Sequence, residues 1–265
     1  MDRVDDSQLK IERAREHVEV LDELIETYLT TKPYRYLPKQ RPDSSELIQG
    51  VVITHEPPNQ ISLVAGDAIQ NMRSALDHVA YRLVMAGGKR PSGRCCFPIF
   101  ISQGVYLAAV SHQKRAPIDL RGVSDAAMAE IERSQPYHRG DTAANHPLWL
   151  LYQLSNIDKR RRLHITTIHL VALDYVTRNF DSAPSLGIGG YPSQARPLTD
   201  SEQDCTFWFP RAMAQAEADV YLKHSLLVVF DEEGKLRWAP VKRLLKQLID
   251  FVALEVLPGF EHFFR

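Results

Sequence analysis

An arginine and a histidine five positions apart are the residues of this chain whose chemistry is most suggestive. They are Arg73 and His78, at the two ends of the run RSALDH. A guanidinium can hold a phosphate through two parallel hydrogen bonds, and an imidazole can move a proton near neutral pH. Together, those two abilities are what a metal-free attack of an RNA 2′-hydroxyl on its own phosphodiester requires.

Both residues fall in a helix predicted over about 60–86, which Gly87-Gly88 is expected to end. At about 100° per residue, its apolar residues gather within about 60° of Met72. They are Ile61, Ala65, Ala68, Ile69, Ala75, Leu76, Val79 and Leu83. Arg73 lies at about +100° and His78 at about −120° from Met72, so they flank a polar face about 140° wide. That face holds neither lysine nor glutamate, which is more typical of a polar lining than of a solubilising surface.

At these residues the chain resembles the HEPN superfamily (higher eukaryote and prokaryote nucleotide-binding domains). Its members are helical bundles, and its ribonucleases carry an arginine followed, after four to six residues, by a histidine. The resemblance implies a metal-independent endoribonuclease, in which dimerisation often pairs two motifs into one site. Arg73 would hold the scissile phosphate and His78 would act in proton transfer. The sequence departs from the family habit of a larger polar residue after the arginine, because Ser74 stands there.

Further polar residues are candidates for the same substrate site. On the helix of Arg73, the lining would be Asn71, Ser74 and Asp77. A later charged stretch would supply substrate contacts through Asn156, Lys159, Arg160 and Arg162. Consecutive residues fan around a helix, so at most two of the three arginines at 160–162 can face one ligand. The alternative for this cluster is a solvated helix C-terminus, where cations complement the helix dipole.

Two other functions fit the same residues. In the first, Arg73 pairs with Asp77 four positions on and His78 hydrogen-bonds to a neighbouring helix. The chain would then be a non-catalytic interaction protein. In the second, the chain binds nucleotides without turnover. Solvent access separates these alternatives from an active site. A structural network requires Arg73 and His78 to be buried with their polar groups paired, whereas catalysis requires them to be open to a cleft.

The predicted fold class is mainly α (α+β), a bundle of four long helices with a small antiparallel β-sheet. A single domain is expected, with helices at about 7–30, 60–86, 124–164 and 240–256 and β-rich insertions at about 33–56 and 165–238. Alternating steps of three and four between apolar residues define the helices, as at Ile11, Ala14, Val18, Leu21, Ile25 and Tyr28 in the first. Within 124–164, Ser124 is the expected N-cap, Gln135–His146 is a loop, and the helix resumes at Pro147. Residues 89–117 are expected to be irregular, and Lys235–Trp238 is expected to be a strand. The loop over 179–204 is longer than most structureless connections.

Composition narrows the class of protein. The chain has 265 residues, 44% hydrophobic and 25% charged, with a net charge of −1. These values are typical of a globular protein and require any RNA-binding region to be a local patch. No stretch approaches the length of a membrane span, and the charged N-terminus predicts no secretory signal, hence a cytoplasmic protein. Three cysteines give neither a disulfide framework nor a zinc spacing, and no cofactor or metal is expected.

Overall fold

The computed structural model describes residues 6–40, 46–111, 116–175, 207–210 and 220–264, and it is mainly helical with small antiparallel sheets, as predicted. The α-helices are α1 (Asp6–Thr30), α2 (Asn59–Ala86), α3 (Gln103–Ala109), α4 (Asp125–Arg133), α5 (Pro147–Asp158) and α6 (Val241–Asp250). The loop predicted over 179–204 lies outside the described residues. No described helix is long and apolar enough to cross a membrane.

The helices form because their apolar residues recur on one side. In α1 the predicted residues are the buried ones, at Ile11, Ala14, Val18, Leu21, Ile25 and Tyr28. α2 packs on α1, α5 and α6, and the buried side chains form one continuous apolar cluster. α1 and α2 are antiparallel, because Lys10 at the start of α1 contacts Asn71 while Tyr28 near its end hydrogen-bonds the His55 carbonyl.

The predicted helix ends are present at several positions. The Ser124 hydroxyl accepts a hydrogen bond from the Ala127 N–H at the start of α4, a favoured N-cap arrangement. Pro147 occupies the first position of α5, where its missing N–H is no loss. Gly88, with φ +71°, takes the left-handed conformation just after α2.

Along the chain, the strands lie in segments between helices, and each pair of neighbouring strands is antiparallel. β1 (Tyr34–Gln40) pairs with β2 (Glu46–Ile53), which pairs with β4 (Phe207–Pro210). β3 (Ile165–Tyr175) pairs separately with β5 (Val220–Phe230). Thr167 in β3 reaches the helices, because its hydroxyl lies 2.9 Å from the Tyr28 hydroxyl of α1.

Three regions differ from the sequence-based prediction. Helix α3 and the 3₁₀ segment Pro136–Asn145 occupy stretches that the sequence presents as irregular. Helix α5 ends at Asp158, about six residues earlier than expected. Gly234–Leu236 forms a 3₁₀ turn where a strand was expected. The chain still returns beside β5, through a bridge between Val229 and Pro240, but proline has no N–H with which to continue a ladder.

The last predicted helix, 240–256, is split by its hydrogen bonding. α6 is followed without a break by a π-helical turn at Phe251–Val256 and by 3₁₀ turns at Leu257–Phe264. These C-terminal turns pack against α2, and the Phe260 ring meets the Phe97 ring edge-on with centroids 5.8 Å apart. The loop that precedes α3 is therefore held between α2 and the C-terminus.

Candidate functional site

Arg73 lies in the interior of the protein, with only 8% of its surface exposed. Its Nη2 donates to Asp77 Oδ1 at 2.8 Å and to the Phe97 carbonyl oxygen at 2.7 Å. The Phe97 backbone N–H donates in turn to the same Asp77 oxygen at 2.9 Å. These groups close a ring of charge-assisted hydrogen bonds, which fastens the segment before α3 to the middle of α2.

This ring belongs to a polar seam along α2, which we define as Gly66, Gln70, Arg73 and Asp77. The four positions fall within about 60° of arc around the helix. The Gln70 side-chain amide donates to Asp158 Oδ2 at 2.9 Å. At Gly66, a Cβ would collide with Asp158 Oδ1, so glycine lets the end of α5 approach. The seam therefore faces other elements of the protein.

His78 lies on a different side of α2, about 140° around the axis from Arg73, and is half-buried. Its Nδ1 is buried and has no hydrogen-bond partner among the described residues. The same is true of Arg73 Nη1. A buried polar atom without a partner costs roughly 1–3 kcal/mol. These two nitrogens are thus positions at which an added hydrogen-bond partner would be stabilising.

Apart from Asp77, the residues of α2 predicted to line the site do not contact the Arg73 guanidinium. Asn71 accepts a 3.4 Å hydrogen bond from Lys10 of α1 and donates to the Asp67 carbonyl within its own helix. Ser74 is half-buried, and its side chain makes no hydrogen bond in the described part of the chain. Of the predicted lining residues on α2, only Asp77 contacts the Arg73 guanidinium.

Cys96 is a thiol whose pKa responds to the charges of Arg73, Asp77 and Lys159. Burial raises the pKa of the Cys96 thiol, the Arg73 charge lowers it, Asp77 raises it and Lys159 lowers it, with a net rise. Burial likewise raises the pKa of Cys95 to about 11. Both thiols are protonated at neutral pH, so this adjacent pair lacks the thiolate character of a nucleophile.

All four cations of the basic cluster after α5 are exposed, but Arg161 differs from the other three in being paired with a buried carboxylate. Arg161 donates to both carboxylate oxygens of Glu232, at 3.1 and 2.7 Å, and Glu232 is only 4% exposed. The same carboxylate accepts the backbone N–H of His164 at 2.8 Å. Lys159, Arg160 and Arg162 are exposed, and their side chains have no ion-pair partner within the described ranges.

Sequence reasoning missed an aromatic pair on the same helix. The outer face of α5, which we define as Trp149, Tyr152, Gln153, Asn156 and Arg160, is partly or fully exposed. The Trp149 and Tyr152 rings stack on each other with centroids 5.1 Å apart and planes 23° apart. Tyr152, Gln153 and Asn156 follow Trp149 by three, four and seven residues, so the sequence itself places these four on one helix face.

No cluster of three or more histidine, cysteine, aspartate or glutamate side chains that could hold a metal ion occurs among the described residues. Comparison with protein-family models, with characterised proteins and with solved structures found no match to this chain.

Proposed function

We propose that this chain binds RNA or a nucleotide at the C-terminal end of α5 and does not cleave it. One observation carries the proposal: three cations, Lys159, Arg160 and Arg162, stand exposed and without carboxylate partners in the described structure. In a chain whose net charge is −1, affinity for a polyanion has to come from such a local patch. Arginine is well suited to it, because its planar fork matches the geometry of phosphate.

Binding without cleavage follows from the surroundings of Arg73. Its Nη2 is already engaged by Asp77 and Phe97, so a phosphate would have to displace a carboxylate and a carbonyl from a buried position. The Asp77 charge would also repel the phosphate. His78 lies about 140° away around the helix. A guanidinium held in this way supports the fold and is poorly placed to clamp a substrate.

Fluorescence anisotropy with a short labelled RNA of mixed sequence tests the proposal. We expect Arg160→Ala/Arg162→Ala to weaken binding about tenfold or more and to reduce the slope of log K against log salt by roughly 1.4, since two phosphate contacts are lost. The charge-matched control Arg243→Ala/Lys246→Ala removes two exposed cations of α6 and should bind like the wild type. Absence of RNA binding at low salt, or equal loss in both double variants, overturns the proposal.

A second candidate function is the metal-independent ribonuclease that the HEPN resemblance implies. The observation in its favour is that Arg73 Nη1 and His78 Nδ1 are both buried without partners. For these groups to act on one phosphodiester, the segment holding Phe97 would have to move, or a second copy of the chain would have to supply the other half of the site. Homodimerisation is therefore part of this candidate.

Incubation with labelled RNA in the presence of a chelator decides between the two candidates. If the chain is a ribonuclease, His78→Ala should abolish detectable cleavage while leaving thermal stability nearly unchanged, since a general acid or base contributes about 10²–10⁴-fold. If the wild type binds RNA and leaves it intact at every protein concentration, including those at which it self-associates, the ribonuclease candidate is wrong.

A further inference from the structure

We infer that the outer face of α5 is a binding surface for single-stranded RNA, with nucleobases stacking on the Trp149–Tyr152 pair and phosphates held by the cations at the end of the helix. This rests on the proposed function and deepens it by naming the form of the ligand. One aromatic pair, two amides and one basic terminus lie along a single helix face.

The aromatic pair provides a flat surface. Trp149 and Tyr152 stack with planes only 23° apart, and both are half-buried, with part of each side chain packed against the apolar core and part exposed. Stacking between a base and an aromatic ring is tolerant of sequence, because every base has a π face. In a duplex those faces are already covered by neighbouring base pairs, so this surface favours an unpaired strand.

The cations lie at the correct end of the same face to meet the backbone of such a strand. The helical path continues beyond α5, since the Arg160 and Arg161 N–H groups both donate to the Ile157 carbonyl. Arg160 is therefore within about 20° of Trp149 around the axis and roughly 16 Å further along it. Lys159 lies on the flank that Tyr152 occupies. A strand stacked at one end of the face would place its phosphates near the other.

Nothing negative interrupts this path within α5. The one carboxylate of the helix, Asp158, points to the opposite side, where it accepts from Gln70 of α2. Between the aromatic pair and the cations lie the side-chain amides of Gln153 and Asn156, which make no hydrogen bond in the described part of the chain. Each amide offers donors and an acceptor, which suits base edges and the 2′-hydroxyl that distinguishes RNA from DNA.

The decisive measurement is the equilibrium affinity of the full chain for single-stranded RNA and for the corresponding RNA duplex at the same salt concentration. We expect about tenfold tighter binding of the single strand. Trp149→Ala should remove most of that preference and leave duplex binding unchanged. Tyr81→Ala, which removes a well-exposed aromatic side chain from α2, is the control and should bind both RNAs like the wild type.

A second variant keeps the test informative if Trp149→Ala fails to fold. Asn156→Asp keeps the shape of the side chain and places a negative charge in the middle of the face, so it should weaken single-strand binding about tenfold. Gln247→Glu adds the same charge on an exposed position of α6 and should leave affinity unchanged.

The outcomes separate this inference from the proposed function. Equal affinity for single-stranded and duplex RNA, with Asn156→Asp and Gln247→Glu indistinguishable, overturns the single-strand surface while Arg160→Ala/Arg162→Ala still reports the basic patch. Tighter binding of single-stranded DNA than of RNA overturns the choice of RNA. If the wild type binds no RNA at all, both the single-strand surface and the proposed function are overturned.

Discussion

The seam of α2 and the outer face of α5 are both polar stripes on neighbouring helices, yet they meet different surroundings. The seam is covered by the end of α5 and by the segment of Phe97, and its arginine, Arg73, is 8% exposed. The outer face of α5 is partly exposed and ends in exposed cations. One arginine is thus part of the framework, whereas Arg160 is open to a ligand.

The difference shows how chemistry-bearing residues should be weighed. A stripe of short polar groups without lysine or glutamate, as on α2, indicates contact with other protein elements, since each group must then be paired internally. A stripe of aromatic rings, amides and arginine that lacks a carboxylate is better suited to an external polyanion. The composition of a polar face is therefore more informative than the presence of an arginine and a histidine at a chosen spacing.

The largest effect on stability is expected at Arg73. Arg73→Ala should lower the free energy of unfolding by roughly 3 kcal/mol, because it leaves Asp77 and the Phe97 carbonyl without their partner in a mostly buried position. Chemical denaturation measures this loss. Arg13→Ala, which breaks an exposed pair with Glu16, should change stability by less than about 0.5 kcal/mol. If Arg73→Ala is as stable as Arg13→Ala, the seam is not a structural network.

Two adjacent glutamates test the contrast between paired and open polar groups in the basic cluster after α5. Glu232→Ala should cost roughly 2 kcal/mol, because Arg161 and the His164 N–H lose a buried acceptor. Its neighbour Glu233 is exposed, so Glu233→Ala should be close to neutral. Equal effects of the two substitutions would mean that the Arg161–Glu232 pair does not stabilise the fold, and the division of the basic cluster would be wrong.

His146, the N-cap of α5, should make the stability of the protein depend on pH. Burial, aided by the charge of Arg139, lowers the pKa of His146 from 6.5 to about 4, and His146 Nδ1 accepts from the Leu148 N–H as the N-cap. The unfolded chain binds the proton more tightly than the folded one. The stability that neutral His146 contributes to the fold is therefore fully present above about pH 6.5 and is lost as the pH falls towards 4.

His146→Asn keeps a side-chain acceptor at the cap and removes the titrating group. Urea denaturation at several pH values should therefore show that the wild type loses on the order of 1 kcal/mol more than the variant between about pH 7 and pH 5. Parallel pH profiles for the two proteins would contradict a neutral, buried His146.

The smallest effect is expected where α2 and α5 approach most closely. Gly66→Ala should lower stability by about 1 kcal/mol, because the new Cβ pushes Asp158 away from Gln70. In an Asp158→Ala background the same substitution should stabilise by up to about 1 kcal/mol, since alanine is the better helix former. Thermal denaturation of the four proteins of this cycle measures the sign change, and a Gly66→Ala effect of the same sign in both backgrounds would mean that Asp158 does not close the seam.

Local patterns predicted the helices well and the connections poorly. The buried side of α1, the cap at Ser124 and the start of α5 at Pro147 all follow from residues close together in the chain. Helix α3 has only seven residues, too few for a periodic pattern to stand out. The end of α5 was placed too late because the charged residues after Asp158 are good helix formers, and the contact of Arg161 with Glu232 was not foreseen.

The candidate site shows the same division. The pairing of Arg73 with Asp77 was one of the alternatives that the sequence offered, because the two lie one turn apart. That Phe97 completes the ring was not predictable, since it is 24 residues from Arg73 and nothing in its side chain signals a backbone contact. The aromatic pair on α5 was readable from spacing but was missed.

Sequence alone determined which residues share a helix face, because the rise and rotation of the α-helix are the same in every protein. It therefore determined the apolar stripes, the helix starts at Ser124 and Pro147 and the position of Arg73 beside Asp77. Only the tertiary structure decided what each polar face meets: the Phe97 segment and the end of α5 cover one side of α2, whereas the outer face of α5 is left open. Contacts between distant segments depend on how helices pack together, and no local spacing encodes that.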